Sequence, residues 1–342
     1  MKGLAKIIGL IFLWFVASAL HLWSALVLHY CSFPSSAALR AVAVAVYISA
    51  VIIIIVLSKK KYIGLLISLL AYVAVFLWFG SIQPKAGGKY PPELTLPDVE
   101  FHGDLVTIYN VRNLAYRSAQ DFDVRYEKRT YNLNDLKTLD VMVNYWGMEA
   151  IAHTFLSFGF SDGRFIAVSV EIRPEVGKVY GMLKGFFKQY NLIYIWGDER
   201  DLVRGRTNYR KENVYLYRTT LSPENVRKMF VSMLTTTQIM YKKPQFYNTA
   251  TNSCTNTLGN HIIAAKIMKI PFWKRRLLTG NVDQRMYEDG LLDRSKPFPE
   301  LRQQANIDER ARRADQDSDF SEKIRTHLRQ KDRTFRTNYS RE

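Results

Sequence analysis

Residues 150–173 read "AIAHTFLSFGFSDGRFIAVSVEIR", two runs of alternating side chains parted by "SDG". β-Branched and aromatic residues fill both runs, the pattern of strands, and a three-residue loop from Ser161 to Gly163 closes them as a hairpin, with Gly163 supplying the left-handed residue such loops need. In that register Leu156, Phe158, Ile166, Val168, Val170 and Ile172 share a core side. His153, Ser157, Ser169 and Glu171 share the other, and Glu171 faces His153. A histidine beside a carboxylate is either an ordinary pair on a wet sheet face or a base with its orienter.

Further strand-like runs lie on both sides: "DLVTIYNV" (104–111), "FDVRYEKRTYNL" (122–133), "LIYIWG" (192–197) and "VYLYRT" (214–219). Helical signals come later. "SPENVRKMFVSMLTTTQIM" (222–240) has Ser222 as N-cap, Pro223 at the first helical position and apolar residues at three and four spacing. The sum is an α+β domain with a mostly antiparallel sheet and helices packed against it.

Before this domain the composition is different. "IIGLIFLWFVASALHLWSALVLHY" (7–30), "ALRAVAVAVYISAVIIIIVLS" (38–58) and "YIGLLISLLAYVAVFLWFGSI" (62–82) are nearly uncharged and each is about twenty residues long, enough to cross a bilayer as helices. "ASA" at 17–19 imitates a signal-peptidase site, but the apolar run continues well past it. Lys2 and Lys6 precede the first span and Lys59 to Lys61 join the second to the third, whereas the first connection offers only Arg40. By the positive-inside rule the amino terminus is cytoplasmic and the chain after the third span is periplasmic, in the inner membrane of a bacterium. The expected organisation is a membrane domain over 1–83, a Pro/Gly/Lys linker over 84–99, the α+β domain over 100–290, and a charged helical or disordered tail over 291–342.

The chain carries 48 Lys and Arg against 31 Asp and Glu, a formal charge of +17. These cations are interleaved with acids and gathered into no nucleic-acid reader motif, so the expected partner of the basic surface is anionic phospholipid. No metal-ligand spacing and no cofactor motif is present. With one cysteine at the membrane edge (Cys31) and one deep in the soluble part (Cys254), a structural disulfide is not expected.

Cys254 lies in "FYNTATNSCTNTLGNHIIAAKIM" (246–268), where an Asn/Thr-rich loop meets an apolar-periodic segment. Thr251, Asn252 and Ser253 are natural caps, which places the thiol at a helix N-terminus. There peptide dipoles and N–H groups favour a thiolate and can also hold an oxyanion. On placement alone the same cysteine reads sooner as a small buried residue. Its partner decides between them. His261 is seven residues along the same helix, roughly 10 Å away by backbone rise, and reads as scaffold. His327 falls in the polar tail and His102 in the linker region, leaving His153 as the base and Glu171 as its orienter.

Four blocks, "AHTFLSFGF" (152–160), "SVEIR" (169–173), "YIWGDERDLVRGRTNYR" (194–210) and "FYNTATNSCTN" (246–256), resemble the Lnb N-terminal periplasmic domain family, named after a bacterial lipoprotein N-acyltransferase. The resemblance spans roughly residues 100–280. It implies a permuted papain-like thiol-enzyme fold, similar to NlpC-type peptidases and lecithin:retinol acyltransferase, with Cys254 as nucleophile and His153 as base. Asn252, Ser253, Ser169, Arg173, Asp198, Arg200 and Asp201 fall in or beside the shared blocks as possible substrate or support residues. The implied activity is transfer of an acyl chain from phospholipid, through a Cys254 thioester, to an amine such as a lipoprotein N-terminus. Alternatives are a cysteine hydrolase, whether cell-wall peptidase, amidase or lipase, and a non-catalytic membrane scaffold. Phe155, Phe246 and Tyr247 are candidate walls of a lipid pocket. The named family member carries its spans after the domain, whereas here three precede it, so the route of the acyl donor does not carry over.

If the Lys cluster is cytoplasmic, a reporter fused after Gln83 behaves as periplasmic and one fused after Lys60 as cytoplasmic. The opposite pattern would reverse the compartment.

Overall fold

A computed structural model describes residues 2–33, 36–84, 95–145, 147, 152–173, 181–269 and 279–328. The core of the expected linker (85–94) and the last residues of the expected tail (329–342) lie outside them. The described chain divides into two compact units, one of Met1–Lys85 with Lys178–Asn191 and Phe246–Thr249, and the other of Ala86–Gly177, Leu192–Gln245 and Ala250–Glu342.

The first unit holds three helices, α1 (Lys2–Cys31), α2 (Ala37–Leu57) and α3 (Lys61–Ser81), each long and apolar enough to cross a membrane. One polar cluster joins them. The His21 ring ties all three helices together, with Nδ1 2.8 Å from the Tyr47 hydroxyl and Nε2 3.0 Å from Ser68 Oγ. In hydrocarbon an unpaired polar group is expensive, so such a cluster fixes which helix faces meet. Residues 181–190 belong to this unit. Phe187 stacks on Tyr30 at 5.1 Å, and Lys188 Nζ donates to the Phe79 and Ile82 carbonyls at 2.6 and 3.1 Å, satisfying the open end of α3.

The second unit is a mixed, mostly antiparallel sheet of β1 (Asp98–His102), β2 (Leu105–Arg112), β3 (Tyr126–Asn132), β4 (Leu136–Tyr145), β5 (Ala152–Phe160), β6 (Phe165–Arg173), β7 (Asn191–Gly197) and β8 (Asn213–Arg218). The main strand order is β1-β2-β7-β6-β5-β4-β8, with β3 paired to β2. The hairpin β5–β6 has the register its sequence implies: Phe155 faces Ser169 and Leu156 faces Val168, with Gly163 at φ +86° in the loop. Ser222 caps α5 (Pro223–Lys242) through Asn225 N–H, and α6 (Cys254–Ala264) follows the cap Ser253.

Three expectations are corrected. β1 begins at Asp98, inside the supposed linker, and His102 is its last residue. β4 carries no strand-like signal as clear as its neighbours', yet it pairs with both β5 and β8.

The third concerns the tail. The side of the hairpin bearing His153 is not a wet face, because α8 (Phe298–Ala305), α9 (Asp308–Arg313) and α10 (Phe320–Lys323) come back over the sheet, after α7 (Val282–Glu288). Ile307, Ala311, Ala314, Phe320 and Ile324 are buried there with Phe155, Ala167 and Met142. The segment reads as polar because its apolar residues are set among charges, and some of those charges are themselves buried. Arg325 pairs with Asp140 at 2.7 Å and Glu199 at 2.5 Å, and its Nη2 donates to Ser157 at 3.3 Å. On the opposite face Phe158 and Trp196 each meet Phe230 of α5 edge to face.

Breaking a buried pair leaves the remaining charge without compensation. Arg325→Met therefore lowers stability by about 3–5 kcal/mol in urea unfolding, and Glu199→Gln added to it restores part of the loss. A change of under about 1 kcal/mol would mean that the C-terminal helices do not hold the sheet.

Candidate active site

The nucleophile's position follows from capping chemistry. Ser253 Oγ accepts from Asn256 N–H at 3.4 Å, and Asn256 Nδ2 donates to the Ala250 carbonyl at 2.8 Å, which folds the preceding loop back on the first turn of α6. Cys254 is the first residue of the helix, where N–H groups have no acceptor within the helix. The thiol is partly buried, 3.9 Å from the Thr255 hydroxyl.

His153 stands near the start of β5. Its Nε2 lies 2.7 Å from Ser169 Oγ and 3.2 Å from Glu171 Oε1, and Ser169 Oγ donates to the same carboxylate oxygen at 2.6 Å. Ser169 thus accepts from the imidazole and passes a hydrogen bond on to Glu171. The imidazole also hydrogen-bonds the Cys254 thiol, so it stands between the sulfur and the carboxylate. Arg206 Nη2 closes the carboxylate's shell at 2.6 Å, and its guanidinium lies over the Phe155 ring at 4.6 Å, while Phe155 stacks against His153 at 6.0 Å.

The electrostatics agree with the geometry. Burial disfavours a charged imidazole, but the Glu171 carboxylate and the Cys254 sulfur outweigh it and push the His153 pKa up to about 9. Burial likewise raises the Cys254 thiol, yet the His153 charge and hydrogen bond, with the Thr154 backbone and Thr255 hydroxyl, bring it below its ordinary value. Burial would also raise Glu171. The His153 and Arg206 cations and the Ser169 hydroxyl hold it instead well below the usual carboxylate range. Each shift favours the ionised partner of the other: a lowered thiol beside a raised imidazole, with the carboxylate of Glu171 behind it.

The structure brings together Cys254, His153, Glu171, Ser169 and the cap Ser253. Asn252 precedes the cap, half-buried, and Arg173 is buried at the end of β6. The acidic and basic block elsewhere is framework. Asp198 caps the short helix α4 (Glu199–Leu202) and pairs with Arg129 at 2.6 Å, and Arg200 pairs with Asp198. Asp201 holds Arg112 at 2.8 Å and the Leu114 N–H at 3.0 Å. His261 is held between the Tyr194 and Ser232 hydroxyls at 2.6 and 2.8 Å, and burial pushes its pKa down to about 4, so it stays neutral scaffold. Phe155 is core rather than lipid wall, and Phe246 and Tyr247 belong to the unit of the three helices. Arg206 was not singled out in the sequence. Its signal is the π-helical turn Gly205–Tyr209, a distortion often found at functional sites.

Residues 122–280 match the family model of the Lnb N-terminal periplasmic domain, the family that the four sequence blocks resemble. No curated protein and no solved structure matches the chain. Three helices apolar and long enough to cross a membrane, followed by residues that match a periplasmic domain family, point to a membrane protein with a periplasmic domain.

The lowered thiol pKa sets a pH profile for alkylation of the native chain by iodoacetamide. Reactivity at Cys254 is carried by the thiolate, so it persists well below the free-thiol value of about 8.5 and falls only as pH drops through the lowered thiol pKa. His153→Ala moves this limb upward and slows labelling at pH 6.5 by about tenfold for each pH unit of displacement. Glu171→Gln moves it in the same direction by less. Labelling of Cys254 only after denaturation would identify a structural cysteine.

Proposed function

We propose, from an Lnb-type domain over residues 122–280 as premise, that this protein is a thiol acyltransferase working at the outer face of a bacterial inner membrane. The N-terminus would be cytoplasmic and the domain periplasmic. The observation that carries the reading is the placement of Cys254 at the N-terminus of α6 beside His153, whose imidazole Ser169 and Glu171 hold, with the thiol's pKa lowered and the imidazole's raised. The order of base before nucleophile, and the nucleophile on a helix packed against the sheet, also support a permuted papain-like arrangement.

In the first step the Cys254 thiolate attacks the carbonyl carbon of a phospholipid ester. A C–S bond forms, and the developing oxyanion is met by peptide N–H groups in the first turn of α6. The ester C–O bond breaks as the His153 imidazolium gives its proton to the departing alkoxide, leaving a thioester and a lysophospholipid. In the second step an amine attacks the thioester and neutral His153 takes its proton. The C–S bond breaks to return the thiolate, and the product is an N-acyl amine. The acceptor that fits the family and the compartment is the α-amino group of a diacylated lipoprotein. Glu171 matters in both steps, because it keeps the imidazole turned toward the thiol while its charge rises and falls.

Purified full-length protein given phospholipid is expected to gain the mass of one acyl chain on Cys254. The adduct persists until a diacylated lipopeptide is supplied, and then leaves as N-acyl product. Release of free fatty acid at the same rate without any amine, or cleavage of cell-wall peptides without an adduct, would replace transfer by hydrolysis on the same pair. Cys254→Ser and His153→Ala each abolish the adduct.

A further inference from the structure

The second unit contains a cavity of about 130 Å³ enclosed by β4, β5, α5, α6 and α7, with Leu139, Leu156, Met229, Leu258, Ile262 and Met286 among its walls. The walls are overwhelmingly apolar. It begins beside the nucleophile: Thr255, the next residue, lines it, and so does Thr154, whose backbone bonds to the Cys254 thiol. Thr154 is 2% exposed, and its side-chain oxygen has no hydrogen-bond partner among the described residues. Buried hydroxyls are nearly always bonded, so this one marks a place where a ligand's polar atom belongs.

We propose that this cavity is the acyl-chain site of the Cys254 thioester, with the chain running between α6 and the β4–β5 face and its carbonyl end beside Thr154. The assignment rests on the thiol-acylation reading, but an apolar space with an orphaned hydroxyl at one end is there whether or not the sulfur beside it is acylated. A site needing about 10–15 Å³ of such space for each water holds roughly ten waters here. A methylene fills about as much room as a water, so the cavity takes an acyl segment of roughly ten carbons. An extended chain fits because its own section is narrow, and a dry apolar wall rewards each added methylene while offering water no partner.

The test acylates the native chain with p-nitrophenyl esters from acetyl to hexadecanoyl and reads the Cys254 adduct by mass. Acylation is expected to quicken by roughly two- to fourfold per methylene and to flatten near ten carbons. Met286→Trp, which fills the cavity, moves the break to shorter chains and lowers the decanoyl-to-acetyl ratio by at least about tenfold, as filling the room of two or more methylenes requires. Met286→Ala, which enlarges it, moves the break to longer chains. In parallel, Cys254→Ala protein is titrated with the fluorescent fatty acid cis-parinaric acid, which is expected to bind and to be displaced by dodecanoate. Acylation indifferent to chain length in the unsubstituted protein, or no binding by Cys254→Ala, overturns the cavity assignment while leaving the thiol chemistry standing. Binding without acylation by any ester does the reverse.

Discussion

Everything chemical in this molecule depends on the register of one hairpin. Because side chains alternate across a strand, a slip of one residue between β5 and β6 would send Glu171 and Ser169 to the face opposite His153. Three features hold the register: Gly163 in its left-handed loop, the apolar set on one face under α5, and Phe155 and Ala167 locked into the core on the other. The imidazole is therefore aimed by the sheet itself. Its hydrogen bonds to Ser169 and Glu171 complete an orientation that the backbone has already imposed.

The distribution of charge separates two jobs that look alike in the sequence. Arg112–Asp201, Arg129–Asp198 and Arg325–Asp140–Glu199 are partly or fully buried ion pairs with their hydrogen bonds filled, and they hold elements together. Glu171 also meets an arginine, but its other neighbour is a titrating imidazole that in turn meets a titrating sulfur. In this last chain of groups the shifts are coupled, the imidazole raised as the thiol and the carboxylate are lowered, the pattern expected where titratable groups serve a site. A carboxylate satisfied by a permanently charged guanidinium is a fixture, whereas one shared with histidine can follow a proton.

The hairpin, the capped start of α5 and the helix opening at Cys254 were legible because each is dictated by neighbours in sequence: a loop glycine, a Ser-Pro pair, a Thr-Asn-Ser run. The three spans were legible from length and apolarity alone. What escaped depends on distant partners. The face bearing His153 looked wet because nothing nearby covers it, and its cover arrives from residues 307–325. Ile307, Ala311 and Ala314 stand at helical spacing, but two of the three are alanines set among charges and advertise little apolar surface. Arg206 sat within a block already noted, but only the folded chain shows which arginine reaches Glu171. Of the three rings named as lipid walls or core, Phe155 is core, fully buried with the helices that cover its face, and that too depends on residues far along the chain.

The Arg325 clamp also bears on timing. Its partners Asp140 and Glu199 and the β5 serine Ser157 are made long before it, and contacts of such sequence separation are among the last to form. A chain made only as far as the Cys254 helix has the hairpin and that helix, but Asp140 and Glu199 still lack the cation they share beneath the strand that bears His153. The face on which His153 stands is thus finished by residues made some fifty positions or more after Cys254.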